Sequence, residues 1–394
     1  MSDSIARVRS EIANGAVTID AFFPVSTSGV PWPIRSSSAA FADGQHPPLS
    51  AHLHPLDGVP FTPDAVGELR MSQGTFHTPV MVEEVLDLVR PCPPGVVVDA
   101  TVGGGGHAAG ILDDRRDVVV VGIDQDEEAI AAATERLAPF GGRAIVRQGR
   151  FDDFDQIVAA IPQSGLSPDG GLSAVLFDLG VSSHQLDEAR RGFSYRIDGP
   201  IDMRMDQHSR TSAAEIVNAF DVDELAELFR LHGEERFAKR IAQTIVRHRP
   251  ISTTGELAAA VSEAVPAAHR RRGHPARRVF QALRVAVNDE LTALEVALDK
   301  SIELVAPMGR IIVISYHSGE DRIVKRRFRD WTTARCTCPP GAPCTCGATP
   351  QARLLTKGAQ RPNEDEIARN PRAREARLRA IERLSPALEA DEGA

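Results

Sequence analysis

The chain has 394 residues, enough for two or three domains, and its 42% of hydrophobic and 25% of charged residues exclude wholesale disorder. It carries 45 basic and 54 acidic residues, a net charge of −9, which excludes a uniformly basic nucleic-acid-binding protein and leaves only a local patch for polyanions. No hydrophobic run approaches about 18 residues and five cysteines do not suit a secreted disulfide scaffold, so the composition favours a cytoplasmic enzyme.

The first part of the chain differs in composition from the rest. Residues 1–75 are rich in Pro, Ser, Ala and His and contain only short apolar pieces. We predict an irregular N-terminal extension there, and a flexible tail at residues 386–394.

From residue 78 onward, short apolar strands alternate with helices. Such alternation predicts βαβ units and a parallel sheet, and continuous apolar runs are typical of strands covered on both faces. The predicted helices and strands of this part are helix 79–89, strand 96–99, helix 107–112, strand 118–123, helix 127–137, strand 144–147 and strand 174–177.

The pattern changes after the fourth strand. From Ser212 to Val305 it predicts helices only, with capping boxes that begin at Ser212 and Thr253. A buried strand returns at residues 310–315, so a helical block is inserted between two strands of the sheet. Two edge strands are predicted to follow, at residues 353–356 and 376–383. The predicted fold is an α/β domain formed by residues 76–185 and 289–385, with an all-helical insertion at residues 186–288.

A glycine-rich loop joins the first strand to its helix. Residues 99–107 read DATVGGGGH, and glycines at such a turn let the backbone approach a ligand and adopt positive φ. Asp124 closes the next strand, 18 residues after Gly106, where a carboxylate can accept both ribose hydroxyls of an adenosine. The order of strand, glycines, helix and acid predicts an adenosine-containing cofactor.

Two cofactors are compatible with this loop. Gly103-x-Gly105-x-x-Ala108 fits the dinucleotide fingerprint, so an NAD-linked oxidoreductase is one alternative. Asp99 and Asp178, at two strand ends, favour S-adenosylmethionine, because carboxylates attract a sulfonium and an ammonium but repel a diphosphate. Asp178 could also accept a proton from an amine nucleophile.

Basic residues are concentrated in two stretches of this acidic chain. The segment from residue 267 to residue 288 contains no acid, and a second cluster follows at residues 322–329. We predict that the first stretch contacts RNA phosphates, the alternative being a solvated helix face. The first stretch consists of Arg270, Arg271, Arg272, Arg277, Arg278 and Arg284, and the second of Arg322, Lys325, Arg326, Arg327 and Arg329.

Four cysteines form two closely spaced pairs in a Pro-rich segment. Four thiolates could hold zinc, but Cys-x-Cys is tighter than the usual spacing, and reduced thiols or a redox-formed disulfide are the alternatives. No other metal site is predicted. The four residues are Cys336, Cys338, Cys344 and Cys346.

Nine motifs of this chain, in order, resemble those of the ribosomal RNA small subunit methyltransferase H family. The resemblance covers about residues 76–385 and leaves the N-terminal extension outside. The motifs are HTPV at 77–80, DATVGGGGH at 99–107, DLGVSS at 178–183, RGFS at 191–194, DGPIDMRM at 198–205, GEERFAKRI at 233–241, FQALR at 280–284, VNDEL at 287–291 and SYHSGEDRIVK at 315–325.

The resemblance implies a class I (Rossmann-like) SAM-dependent methyltransferase with an inserted all-helical domain. It implies methyl transfer from S-adenosyl-L-methionine to N4 of a cytidine, position 1402 in the usual rRNA numbering, in the decoding region of 16S rRNA. The expected partner is therefore 16S rRNA within the small ribosomal subunit, without a membrane. Carried over by motif, the expected cofactor contacts are Gly105, Gly106, His107, Asp124, Phe151, Asp178 and Gln185.

The sequence departs from the family pattern at three positions. Gly104 stands where relatives often carry a larger residue, Tyr316 where many have Phe, and Gly319 where many have Leu. We expect none of these differences to abolish the chemistry.

The exocyclic amine of cytosine is a weak nucleophile, so the enzyme must position it and accept a proton from it. Asp178 is the predicted acceptor, and His317 is a second candidate that could equally be a structural histidine bonded to a carboxylate. A methyltransferase for another RNA or a protein, and an RNA-binding assembly factor with a vestigial cofactor site, are the remaining alternatives.

Overall fold

A seven-stranded sheet with the strand order β3-β2-β1-β4-β5-β7-β6 forms the centre of the computed structural model. The first five strands are parallel, whereas β7 runs antiparallel to both β5 and β6. The strands are β1 Gly95–Asp99, β2 Val118–Asp124, β3 Ala144–Gln148, β4 Leu172–Asp178, β5 Val305–Ser315, β6 Ala352–Leu354 and β7 Arg377–Arg383.

The structure describes residues 79–161, 171–270, 273–333, 338, 345 and 349–385, all within one unit that spans Leu69–Ala394. The predicted N-terminal extension 1–75 and the tail 386–394 lie outside the described residues. No helix of the described part is both long and apolar enough to cross a membrane.

Helices occupy most of the chain between the strands. Those before residue 190 and after residue 289 surround the sheet, and α6 to α11 form the block between β4 and β5. The helices are α1 Val82–Val89, α2 Gly106–Asp114, α3 Glu127–Leu137, α4 Phe154–Ala159, α5 Ser183–Asp187, α6 Ala213–Ala219, α7 Val222–Gly233, α8 Ala238–Arg247, α9 Thr254–Ala264, α10 Ala267–Arg270, α11 Ala276–Asn288, α12 Glu290–Leu304, α13 Ser318–Thr333 and α14 Glu364–Arg369.

Both faces of the sheet are covered by apolar side chains. On one face Val96 and Val98 of β1 pack in a cluster with Leu294 of α12 and Phe328 of α13. On the other face Val97 packs in a cluster with residues of α1 and α2. This two-sided burial is the physical reason that the strands read as continuous apolar runs, and it confirms the α/β fold class.

The helical block between β4 and β5 has an apolar core of its own, which includes Leu225, Phe229 and Ile241. Its capping boxes at Ser212 and Thr253 form as the sequence predicts. We propose that residues 186–288 are a separate domain inserted into the domain formed by 76–185 and 289–385.

The prediction of two final edge strands is wrong for β7, which lies between β5 and β6. The charged side chains of this interior strand are paired: Arg379 with Asp321 of α13 at 2.8 Å, and Glu382 with Arg310 of β5 at 3.0 Å. Ion pairs with neighbouring elements therefore allow a charged strand in the interior of the sheet.

Candidate active site

A cavity of about 1150 Å³ opens beyond the carboxyl ends of β1, β2 and β4. Asp124 and Asp178, the last residues of β2 and β4, line it, together with the loop that follows Asp99 of β1. A crevice at the carboxyl ends of parallel strands is the usual ligand site of an open α/β sheet. Six of the seven predicted cofactor residues line this cavity, whereas Gly105 lies in the glycine turn but not on the cavity wall. The six are Gly106, His107, Asp124, Phe151, Asp178 and Gln185.

The glycine turn is shaped by backbone geometry and by packing. Gly103 and Gly105 have backbone φ angles of +50° and +76°, which residues other than glycine rarely adopt. At Gly106 a Cβ atom would lie 2.7 Å from Cγ of Pro79, so this glycine lets the segment before α1 pack against the turn. Gly105 caps α2, whose first residue is Gly106.

Asp124 organises the two loops on either side of it. Its carboxylate accepts hydrogen bonds from the backbone N–H groups of Gly103 and Asp126, both at 3.0 Å. Burial raises the pKa of Asp124 to about 6. Because each carboxylate oxygen can accept a further hydrogen bond, Asp124 can still bind two hydroxyl groups of a ligand in the cavity.

Asp99 and His107 are buried, and some of their polar atoms lack hydrogen-bond partners among the described residues. Oδ1 of Asp99 accepts a hydrogen bond from the backbone N–H of Thr101 at 3.4 Å. Asp99 is 1% exposed, and its Oδ2 has no partner. Burial raises the pKa of Asp99 to about 7. Burial alone would lower the pKa of His107, but the carboxylates of Asp178 and Asp99 raise it above its ordinary value. Buried polar atoms without hydrogen-bond partners indicate that a polar ligand binds here and supplies the missing partners.

Asp178 is held from two directions. Its backbone N–H donates to Oγ1 of Thr101 at 2.7 Å, and the hydroxyl of Tyr316 donates to Oδ1 at 2.9 Å. The other oxygen, Oδ2, lies 3.4 Å from Nε2 of His107. Burial raises the pKa of Tyr316 well above its ordinary value, so the hydroxyl remains a proton donor at neutral pH. Both Asp178 and Tyr316 line the cavity.

Gln185 is buried in a polar network beneath the cavity. Its amide Oε1 accepts from the backbone N–H of Ser182, and Nε2 donates to Oδ2 of Asp126 at 2.6 Å. The guanidinium of Arg191 binds the same Asp126 oxygen at 2.7 Å and Glu128 at 2.8 Å. Gln185 also lines the cavity, so the network connects the segment after β4 to the cofactor crevice.

Phe151 lies at the cavity wall, as the family resemblance implies. Its ring meets the ring of Phe177 edge to face, with 6.1 Å between centroids. This contact fixes the ring in an orientation in which it remains part of the apolar wall.

His317 follows β5 and makes contacts typical of a structural histidine. Its Nδ1 accepts from the backbone N–H groups of Gly319 and Glu320 at 3.2 and 3.4 Å. The ring proton is therefore on Nε2, which lies 3.0 Å from Oε1 of Glu320. With Nδ1 used by the backbone and Nε2 protonated, the geometry favours the structural alternative.

Glu290, His317 and Glu320 place their ligand atoms within 4.8 Å of one another, an arrangement that could hold a metal ion. The guanidinium of Arg284, however, donates to both oxygens of Glu290 at 2.8 Å and lies 3.8 Å from Glu320. This cation supplies the charge that a metal would supply. Arg284 also lines the cavity, with its charge paired to Glu290.

The structure separates the predicted RNA-binding arginines. Arg277 lines the cavity and lies 3.5 Å from Glu375. Arg270 and Arg278 donate to the backbone carbonyls of Val265 and Glu234, at 2.9 and 3.1 Å. The other two, Arg271 and Arg272, lie outside the described residues.

Members of the second basic cluster lie on α13 and pair with carboxylates. Arg322 bonds to Glu234, Arg326 to Glu295, and Arg327 to Asp299 at 2.8 Å. These pairs reduce the net positive charge of this helix face.

Most of the predicted zinc site lies outside the described residues, namely Cys336, Cys344 and Cys346. For Cys338 the structure shows a hydrogen bond from the backbone N–H of Thr345 to Sγ at 3.4 Å. Zinc at the four thiols stays a prediction.

The comparison with known families agrees with the geometry of the cavity. The model of the MraW methylase family matches residues 74–384. The chain belongs to the MraW methylase family. Its matched part begins just before the segment that packs on the glycine turn and ends just after β7.

Curated relatives match over nearly their whole length, and they carry the name ribosomal RNA small subunit methyltransferase H. The protein of Syntrophotalea carbinolica is 51% identical, over 78% of this chain and 98% of its own. Those of Heliobacterium modesticaldum and Thermobifida fusca are each 48% identical, over 78% and 82% of this chain and 98% and 97% of their own.

Sequence reasoning missed the polar network below the crevice of this MraW methylase family member. Asp126 follows β2 by two residues and caps α3, yet it also binds Arg191, which is 65 positions away. The signal was present in the RGFS motif that begins at Arg191. An arginine in an otherwise small, apolar motif needs a buried carboxylate partner, but the sequence does not identify that partner.

Proposed function

We propose that this chain transfers a methyl group from S-adenosylmethionine to N4 of a cytidine, position 1402, in the decoding region of 16S rRNA. The observation that carries the proposal is the placement of Asp124 and Asp178, at the ends of two parallel strands, on the wall of one cavity, with the buried Asp99 at the end of the strand between them. Carboxylates in this arrangement attract a ligand that bears a sulfonium and an ammonium.

The residues of the cavity fit this cofactor. The unpartnered Oδ2 of Asp99 is a buried anion that an ammonium group would satisfy. Asp124 is placed for ribose hydroxyls and Phe151 for the face or edge of an adenine. A dinucleotide would bring a diphosphate to the same carboxylates, which disfavours NAD. The remaining proposed contacts are Gly105, Gly106, His107, Asp178 and Gln185.

S-adenosylmethionine supplies a methyl group on a positively charged sulfur, so the protein must position the amine and manage its proton. Methylation of N4 leaves one proton in excess on that nitrogen, and Asp178 is the proposed acceptor. The hydroxyl of Tyr316 and the backbone contact to Thr101 fix the carboxylate, so it does not need to reorganise during the reaction. His107 balances the charges of Asp99 and Asp178.

The substrate side of the proposal rests on the names of the relatives and on the basic residues of the insertion. We propose that Arg270, Arg271, Arg272, Arg277 and Arg278 contact rRNA, with Arg277 nearest to the cavity. Because a methyltransferase of the small ribosomal subunit acts where ribosomes assemble, we propose a cytoplasmic location.

Mass spectrometry of 16S rRNA tests the function directly. RNA or small subunits from a strain that lacks the gene are incubated with the enzyme and S-adenosylmethionine, and a gain of one methyl group on N4 of the target cytidine is expected. Methylation of another RNA or of a protein would contradict the substrate, and absence of any transfer would favour an assembly factor. Binding of S-adenosylhomocysteine without binding of NADH separates the proposal from an oxidoreductase.

A further inference from the structure

The mouth of the cavity is lined by exposed arginines, some of which the sequence analysis did not single out. The C-terminal segment that contains α14 and the 3₁₀ turn Pro371–Glu375 contributes Arg372 and Arg374 to the lining. Arg277 of α11 lines the same mouth. We call Arg277, Arg372 and Arg374 the mouth arginines.

The C-terminal segment is firmly attached to the protein at this place. Ala373 is fully buried between the two exposed arginines Arg372 and Arg374. Earlier in the segment, Oε1 of Glu366 accepts a hydrogen bond from the backbone N–H of Met81 at 2.7 Å. The backbone of the mouth is therefore preorganised, which reduces the ordering cost of binding a ligand there.

Two mouth arginines form ion pairs that a stronger anion could replace. Arg277 lies 3.5 Å from Glu375, and Arg372 lies 2.6 Å from Asp187. All four side chains are more than 40% exposed, and ion pairs with such exposure add little stability and are screened by salt. A phosphate group, like a carboxylate, offers the guanidinium a bidentate partner, so it can replace the carboxylate in pairs as weak as these.

We propose that the mouth arginines bind the phosphodiester groups of single-stranded RNA on either side of the nucleotide that enters the cavity. This inference rests on the proposed function, because a base must leave its stack to reach Asp178 while its flanking phosphates stay at the surface. The mouth arginines then bind the RNA phosphate backbone and do not distinguish one base from another. Exposed arginine side chains are suited to such contacts.

Salt-dependent RNA binding tests the proposal. The complex of the enzyme with S-adenosylhomocysteine is titrated with a single-stranded oligonucleotide of the decoding-region sequence, for the wild type and for Arg277→Gln/Arg372→Gln/Arg374→Gln. Three lost phosphate contacts lower the slope of log affinity against log salt by about 2, at about 0.7 for each contact. The affinity ratio of wild type to variant should therefore fall about 20-fold between about 50 and 200 mM salt.

Arg116→Gln is the matched control, since Arg116 is exposed and precedes β2 at the amino ends of the strands, on the opposite edge of the sheet. Arg116→Gln should keep the wild-type slope of log affinity against log salt, and the triple variant should keep wild-type affinity for S-adenosylhomocysteine.

Several outcomes of these measurements would contradict the proposal or its basis. An unchanged slope in the triple variant overturns the proposal, as does an equal decrease of the slope in Arg116→Gln. A triple variant with normal RNA binding that fails only on assembled subunits would assign the mouth to a protein partner and also overturn it. Failure of the wild type to bind RNA at all would instead count against the proposed function.

Discussion

The hydroxyl of Tyr316 donates a hydrogen bond to Oδ1 of Asp178 across 2.9 Å, and so joins the carboxyl ends of β4 and β5. Gly180 lies beside the ring: its φ of +107° favours glycine, and a Cβ at this position would lie 3.4 Å from Cδ2 of Tyr316, in ordinary contact. Phenylalanine at position 316 would leave this oxygen of Asp178 without the donor. The tyrosine therefore has a specific role in positioning the proposed proton acceptor.

We expect Tyr316→Phe to lower kcat by about 10- to 100-fold, since a hydrogen bond to a charged group contributes about 1.5–3 kcal/mol. Affinity for S-adenosylhomocysteine should remain unchanged, because the fold and the other carboxylates are retained. The measurement is single-turnover methylation of rRNA at saturating cofactor, which isolates the chemical step.

A double-mutant cycle with Asp178→Asn separates a positioning role from a general packing role. If Tyr316 acts through Asp178, then Tyr316→Phe has little further effect in the Asp178→Asn background. If the fold-decreases in kcat of the two single variants multiply in the double variant, Tyr316 acts independently of the Asp178 carboxylate, contrary to this prediction.

Cofactor affinity should depend on pH because Asp99 must be ionised to bind an ammonium. Burial raises the pKa of Asp99 to about 7, so the neutral form dominates below that pH in the free enzyme. We expect the affinity for S-adenosylhomocysteine to rise as the pH increases toward 7 and then to level off, with a slope near tenfold per pH unit on the acidic side. Isothermal titration calorimetry between about pH 5 and 8 measures it.

Adenosine is the matched ligand for this pH profile, since it lacks the amino-acid group. Its affinity should follow only the ionisation of Asp124, whose pKa is raised by burial to about 6. In Asp99→Asn the two ligands should show the same pH dependence. If, in this variant, the affinity for S-adenosylhomocysteine rose more steeply between pH 6 and 7 than the affinity for adenosine, Asp99 would be excluded as the titrating group.

The sequence predicted those parts of the site that depend on neighbouring residues. The glycine turn, Asp99 at the end of β1 and Asp124 at the end of β2 are each recognisable within about 25 residues, because a parallel sheet fixes where consecutive strand ends meet. The fold class and the family are confirmed. These features follow from local spacing and from the direction of the strands.

Side-chain contacts between residues that are far apart in the sequence could not be predicted in this way. Tyr316 reaches Asp178 over 138 positions because β5 lies beside β4, although a whole helical block separates them in the chain. The position of β7 between β5 and β6 likewise depends on the order in which the strands pair, and the residue composition of β7 does not determine that order. A sequence shows which residues are polar, but the order of strands decides which of them meet.

The buried ion pair between Arg191 and Asp126 should make a large contribution to stability once either partner is removed. Both side chains are 2% exposed, and their charged groups are 2.7 Å apart. We expect Arg191→Met to lower the free energy of unfolding by about 3–5 kcal/mol, because Asp126 is left as an uncompensated buried charge. Denaturant unfolding followed by circular dichroism measures the change.

Arg190→Met is a matched control, since Arg190 bonds to Glu128, one of the partners of Arg191, but its side chain is 55% exposed. Exposed ion pairs contribute little, so this variant should unfold close to the wild type. An equal decrease in the free energy of unfolding in the two variants would mean that the burial of Arg191 does not determine its contribution to stability.

His317 provides the last prediction, which concerns its role in proton transfer. Its Nδ1 accepts from two backbone N–H groups, so an amide oxygen at position 317 can replace this acceptor. We expect His317→Asn to retain turnover within about tenfold of the wild type, whereas loss of a general base costs about 100- to 10,000-fold. A loss of the larger size would return His317 to the chemical step and reduce Asp178 to a positioning residue.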